Sequence, residues 1–374
     1  MIRSGFRQLL ELWDRYERPL AAISLTTGFI FDLFLAKRPD SVYDNLLLVA
    51  YLCIAAGLIL ILNIRTYRRR DIEPQATPLF LLLILQFCFG GLSSNLLVLY
   101  GKSGTFAGST LFLLFLFAML VGNEFLKSRY AQLRFNVVIY YTLLLTYCII
   151  AVPTFILHSV GTLVFLASGF LSLGIITGFL WLLYLLVFRG RDRAVQIYEV
   201  SVLVLLVFFF YNMLYFVNII PPVPLSLKNI GVYHQLTRLP TASGTDDAIY
   251  SATYEDSPWY IFWRDTSATY DMGDVTQAQA SCFSSVFAPT GLSTPVYHRW
   301  ERKDDATGRW VTMSRISFPI NGGRGDGFRG FTVTNVTPGH WRCDVETEGG
   351  ALIGRISFNV VESSTTPALS TKEL

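Results

Sequence analysis

Four histidines, five cysteines and scattered carboxylates are the raw material for chemistry in this 374-residue sequence. His158, His234, His298 and His340 have no metal-ligand spacing among themselves. No H-E-x-x-H, C-x-x-C, Walker loop or G-x-S-x-G occurs, so zinc hydrolysis, dithiol exchange, phosphate cradling and serine acyl transfer all go unsignalled. The expectation is a non-enzyme with no metal and no cofactor. The residues left for a site are those that could bind. In Val296-Tyr-His-Arg-Trp300, alternation puts His298 beside Val296 and Trp300 on the apolar face, either as ligand-binding residues or as satisfied core. Trp341 has the same two readings, since an exposed tryptophan can stack on a sugar ring and a buried one packs.

Two further matches are weaker. Arg324-Gly325-Asp326 is the tripeptide integrins recognise, but within NGGRGDGFRG it reads as a glycine-rich turn. Asn335-Val336-Thr337 is a glycosylation sequon that matters only in a eukaryotic secretory pathway. Cys282 and Cys343 form an even pair in the polar half of the chain, where a disulfide and two buried thiols are both open. Cys53, Cys88 and Cys148 lie in apolar stretches and read as packing residues.

The elements that hold these residues fall into two halves. Ser201–Ile220 has no charge over twenty residues, enough to cross the ~30 Å hydrocarbon core as a helix, and prolines 221, 222 and 224 end it. Before it the chain is apolar spans with short loops; after it, short alternating polar runs. The whole chain is 52% hydrophobic and 15% charged, with mean hydropathy +0.44. Residues 1–221 carry 17 Lys/Arg and 11 Asp/Glu, net +6, and residues 222–374 carry 13 and 16, net −3. A mildly acidic outer half without a basic run argues against a nucleic-acid partner.

Residues 1–18 place Phe6, Leu9, Leu10 and Trp13 at helical spacing among arginines and predict an amphipathic interfacial helix. Seven spans follow, at about 19–36, 44–63, 78–100, 105–126, 135–157, 160–188 and 198–220. Basic loops (Arg65–Arg70, Lys127–Arg134, Arg189–Arg193) alternate with weakly basic ones, which predicts a cytoplasmic N-terminus and residues 222–374 outside. Asp32, Ser94, Asn95, Tyr211 and Asn212 all fall towards the outer leaflet. They predict an outward polar cavity, with mutual satisfaction between helices as the plainer reading. Gly174 and Gly178 in span six set a small-xxx-small pattern for close packing within the bundle or, more sharply, for a homo-oligomer.

In residues 222–362, Trp259–Trp263, Trp310–Ile320, His340–Glu346 and Leu352–Val360 read as strands, with a hairpin at Gly349-Gly350. On the strand beginning at Trp310, residues 310, 312, 314, 316, 318 and 320 share a face. The expected fold is a seven-helix membrane bundle followed by an antiparallel, immunoglobulin-like β-sandwich. Residues 363–374, SSTTPALSTKEL, read as a disordered tail.

VFAPTGLSTPVYHRW, GFRGFTV and PGHWRCDVETEGGALIGRISFNV together resemble a bacterial β-domain family of unknown function, over about residues 228–362. The multi-span start and the IPPVPLSL junction are similar to its Gram-negative members. The resemblance implies an inner-membrane setting with a periplasmic β-domain and brings no catalytic residues. The function expected is binding or sensing of an envelope glycan, lipid or protein, with the lipid bilayer as a second partner. A transporter or lipid-handling protein using the outward cavity is the alternative.

Overall fold

The helices begin and end where local chemistry dictates. The computed structural model describes residue 30 and residues 39–68, 79–103, 109–125, 133–187, 191–239, 249–261, 264–275, 278–364 and 367–374. Ser41 caps the first helix, α1 (Val42–Arg68), by accepting the Asp44 amide at 3.3 Å. Then come α2 (Leu79–Ser103), α3 (Thr110–Phe125), α4 (Leu133–Ala151), α5 (Thr162–Leu186) and α6 (Arg191–Phe216). Pro153 has no amide to donate, and around it α4 widens into a π turn over Val152–Ile156. The last helix closes with Asn218 in the left-handed region at φ 57°. There the Asn218 amide reaches Tyr215 O and the Ile219 amide reaches Leu214 O, a Schellman closure ahead of Pro221.

Five of these helices are long and apolar enough to cross a membrane, and Thr110–Gly122 is a shorter apolar helix. Of the expected span at 19–36 only residue 30 is described, and the leader helix at 1–18 and Asp32 lie outside the described residues, so six helices are described where seven spans are predicted. Close approaches fix the bundle. A Cβ on Gly91 would come 2.9 Å from the Tyr51 ring, and one on Gly169 3.0 Å from Phe208. At Gly174 and Gly178 it would meet open space among the described residues, so the small-residue pattern of α5 does not serve packing against them.

The described residues divide into two compact units. One holds the helices; the other comprises residues 102–110, 157–162 and 220–374. In the second, one sheet orders as β1 (Ser226–Tyr233), β5 (Ala278–Phe287) and β8 (Phe328–Val336). A larger sheet orders as β4 (Thr269–Asp271), β10 (Leu352–Val361), β9 (Gly339–Thr347), β6 (Ser293–Lys303) and β7 (Trp310–Asn321). Every pairing in the two is antiparallel except β4 with β10. Between the two lies a core that includes Val232, Cys282, Trp300, Val336, Trp341, Cys343 and Phe358. The Cys282–Cys343 disulfide joins β5 to β9 through it.

A third sheet, β11 (Ser370–Glu373), β3 (Ile249–Tyr254) and β2 (Gln235–Leu239), forms a second core through Tyr250, Ala252, Tyr233 and Phe283. β5 thus meets partners on both faces. Its last eight residues are all buried, and its sequence shows no apolar alternation.

Three expectations change. The expected disordered tail at 363–374 contains a strand: residues 370–373 form β11, because the β3 edge offers a ladder and the Tyr233–Phe283 core accepts Leu374. Trp259–Trp263 is not a strand where described. Pro258 supplies no amide, the Ile261 amide closes a turn onto Pro258 O at 2.8 Å, and Trp259 is 92% exposed. On β7 the expected single face splits at a bulge opposite Trp300/Glu301. Ser314, Ile316 and Phe318 pair with the inward residues Trp300, His298 and Val296, while Thr312 pairs with Glu301.

Candidate functional site

Alternation along β9 turns Trp341, Cys343 and Val345 into the core and sends Arg342, Asp344 and Glu346 to the other face of the large sheet. On β6 the same face carries Tyr297, Arg299 and Glu301. Register sets Arg299 opposite Asp344, Glu301 opposite Arg342 and Tyr297 opposite Glu346. Arg355 of β10 faces Asp344 from the other side, and Arg315 of β7 faces Arg299. Four strands therefore assemble a lattice of four arginines and three carboxylates.

The carboxylates are the buried members. The side chains of Asp344, Glu346 and Glu301 are 0%, 2% and 7% exposed, although they stand on the face turned away from the core. The arginines cover them. Arg355 grips Asp344 through Nε at 2.6 Å and Nη2 at 2.5 Å, while Arg299 Nη2 donates to the same carboxylate at 3.1 Å. Arg315 Nε donates to Glu346 at 2.8 Å, its Nη2 reaches Glu348 O, and Arg342 Nε donates to Glu301. Two aromatic rings complete the surface: Arg315 lies 4.0 Å over Tyr297 and Arg342 4.4 Å over Trp310. The hydrogen bonds that Arg355 donates to Asp344 raise its pKa, so the guanidinium stays charged.

The arrangement hides its acceptors and shows its donors. The arginine side chains stay partly exposed beside the rings of Tyr297 and Trp310, although Arg299 Nε itself is buried. Such a surface suits planar, bidentate recognition of carboxylate or phosphate groups. Among the described residues of the lattice the carboxylates and guanidinium groups pair with one another.

The β-domain residues singled out from the sequence lie elsewhere. His298, Trp300 and Trp341 are at most 1% exposed and sit between the sheets, so none presents a face to a ligand. Neighbouring hydroxyls and a carbonyl satisfy their polar atoms instead. His298 Nε2 meets Ser284 Oγ at 2.7 Å and its Nδ1 meets Thr332 Oγ1 at 2.9 Å. Trp300 Nε1 donates to the same Thr332 hydroxyl, and Trp341 Nε1 donates to Thr337 O. Burial pushes the His298 pKa down to about 3, which keeps the ring neutral. Cys282, His298 and Cys343 bring ligand-type atoms within 4.8 Å of one another. The sulfurs are bonded to each other and both ring nitrogens are engaged by hydroxyls, so the trio does not fit a metal ion. Arg324-Gly-Asp326 is a turn, closed by the Gly327 amide on Arg324 O and fastened by Ser285 Oγ on Asp326 O.

In the helical unit the described polar residues bond along their own helices or between helices. Asn95 Nδ2 donates to Gly91 O and Asn212 Nδ2 to Phe208 O, each on its own helix. Ser94 is buried with no hydrogen-bond partner among the described residues. Tyr211 meets Thr146 Oγ1 at 2.6 Å, and Tyr100 donates to Thr146 O at 2.9 Å, joining α2, α4 and α6. The sequence reading missed Thr146 and Tyr100; the signal was a threonine pair, Thr142 and Thr146, at helical spacing in an otherwise apolar run.

A family model for a protein of unknown function, DUF2914, matches residues 293–360. That interval runs from β6 to β10 and contains all seven charged residues of the lattice; it is shorter than the resemblance over 228–362 expected above. No curated protein matches the chain. Among solved structures, a β-glucosidase from Listeria innocua in complex with isofagomine is similar at 9% identity and TM-score 0.19, covering 33% of this chain. The chain spans 18% of that enzyme's length. An alkylpurine DNA glycosylase from Pseudomonas fluorescens bound to DNA is similar at 8% identity and TM-score 0.21, over 86% of this chain and 99% of its own. Overlaps that low carry neither fold nor function across.

Proposed function

We propose that this chain is a multi-span inner-membrane protein whose β unit is an outward-displayed binding module, with the arginine face of β6, β7, β9 and β10 as its recognition surface. The spans number seven when 19–36 is counted, the N-terminus is cytoplasmic and the β unit, an immunoglobulin-like sandwich, is periplasmic. The alternation of basic loops supports this orientation. The weakly basic connection at 157–162 groups with the β unit, where Val160 packs against the Leu225–Ile353 core, which supports it too.

One observation carries the binding reading: three carboxylates are buried on an outer sheet face beneath four arginines that stay 15–38% exposed. A sheet that needed only solubility would leave charges in water rather than desolvate three of them. The lattice fixes guanidinium planes for a ligand bearing carboxylate or phosphate, the chemistry of acidic envelope glycans and lipid headgroups. The test is binding of soluble muropeptides and of lipopolysaccharide to the full chain in nanodiscs. Tyr297→Ala combined with Arg315→Gln, the most exposed arginine of the lattice, is expected to weaken binding at least tenfold at a temperature where the variant remains folded. Unchanged affinity would move the ligand off this face.

A further inference from the structure

Residues 370–374 bind to the rest of the β unit as a peptide binds a receptor. β11 pairs antiparallel with β3, Ser370 opposite Tyr254 and Glu373 opposite Ser251, and Leu374 exchanges both main-chain hydrogen bonds with Tyr250 at 2.8 and 3.1 Å. Every second residue is then anchored through its side chain or carbonyl. Ser370 Oγ donates to the Asp256 carboxylate. Lys372 Nζ lies 4.7 Å from the Tyr254 ring centre and 5.6 Å from that of Tyr233, with Asp265 Oδ2 at 3.2 Å. Leu374 packs on the cluster of Tyr233, Tyr250 and Phe283, and its carbonyl accepts from Arg329 Nη1 at 3.2 Å.

Two aromatic rings and a carboxylate around one ammonium make a lysine cage, and the row of β3 main-chain groups supplies affinity without regard to sequence. We propose that the β3 edge is a receptor groove for an extended Ser-x-Lys-x-Leu segment, held in this structure by the chain's own 370–374 as a detachable strap. Detachment is favoured by the strand's four-residue length and by the Ser-, Thr- and Pro-rich stretch that tethers it.

The strap also holds the feet of a displayed element. Asp256 and Asp265, its two acidic anchors, flank the turn that carries Trp259 and Tyr260, which are 92% and 60% exposed. Next to Asp265, Arg264 donates to Thr266 O, Ser357 O and Ser267 O, each at 2.7 Å. Release of the strap removes one set of ties and leaves the Arg264 bonds and the Asp256–Thr266 bridge, with the Ser267 amide on Glu255 O, to hold the aromatic turn.

The experiment uses the full chain in nanodiscs, a variant ending at Ala368, and a fluorescent Leu369–Leu374 peptide read by anisotropy. The variant is expected to bind the peptide, and the intact chain to bind it at least a hundredfold more weakly, because the tethered strap competes at an effective concentration of order millimolar. A peptide with Lys372→Met is expected to bind the variant at least tenfold more weakly. No binding to a variant that still melts as the intact chain does, or equal binding of the two peptides, overturns the proposal. A second measurement stands if the shortened chain misfolds. Lys372→Met in the intact chain is expected to speed amide exchange at Ile249–Tyr254 at least tenfold and to leave β6 and β9 unchanged; unaltered exchange at β3 overturns the proposal.

Discussion

Arg355 meets Asp344 edge to edge, its Nε and Nη2 on different carboxylate oxygens at 2.6 and 2.5 Å, over a side chain with no exposed surface. Arg299 shares the same carboxylate. Asp344→Ala would therefore take from Arg355 its carboxylate and leave Arg299 with Glu346 and Glu301 alone, a loss of about 3–5 kcal/mol for breaking a buried pair from one side. Replacing the pair by Asp344→Leu with Arg355→Met is expected to restore most of it. Urea unfolding followed by tryptophan emission reads both variants, and equal destabilisation of the two would show that the charges are not coupled.

The disulfide spans 61 residues of chain. In the chain-entropy account a loop of that length stabilises by about 4 kcal/mol. Cys282→Ala with Cys343→Ala is expected to lower the β-unit transition by that order, and mass spectrometry of the unreduced intact chain is expected to find both thiols blocked. Alkylation of either cysteine without reductant would contradict the bond.

How far the sequence exposes this molecule depends on what covers each strand. β9 has one face in the core and one outside, so the alternation of Trp341, Cys343 and Val345 against Arg342, Asp344 and Glu346 is legible at once. β5 is buried on both faces, and its small and hydroxyl residues give no period to read. The lattice escapes a single-strand reading because Asp344 is buried by Arg299 and Arg355, brought there by cross-strand register. His298, by contrast, is placed correctly on its apolar face, and that placement is what removes it from the surface. The tail misleads because Ser, Thr and Lys compose disordered segments and strands alike. Its partner Tyr254 lies more than a hundred residues away. Asp32, foremost among the membrane-half site candidates, lies outside the described residues.

Stability is expected to fall in mild acid through His298. Its folded pKa, near 3, lies below the ordinary value of about 6.5, so the unfolded chain binds the extra proton between those limits. The contribution is intact above pH 6.5 and is lost as pH falls towards 3. By pH 4.5 the loss is about 2–3 kcal/mol, two pH units at the linkage slope for one proton. His298→Gln removes the titration, so its melting temperature should drop less between pH 7 and pH 4.5 than that of the unmodified chain. Parallel drops would place the acid sensitivity in other groups.

The last prediction concerns the bundle. Gly91 lets α2 lie against Tyr51 of α1, where a Cβ would come within 2.9 Å of ring carbon Cε2 and 3.2 Å of Cζ. Tyr51 is held in turn by Phe87, edge-on at 5.9 Å between ring centres, which limits how far the ring can turn away. Gly91→Val is therefore expected to overpack the α1–α2 contact and cost about 1–3 kcal/mol. Tyr51→Ala removes the ring that the new methyls would strike, so the double variant should recover much of the loss even though each change alone destabilises. Cys88 and Cys148 are buried in this unit, so the rate at which a thiol-reactive dye labels them on heating reads the unfolding directly. Additive losses in the double variant would show that Gly91 serves something other than the approach of Tyr51.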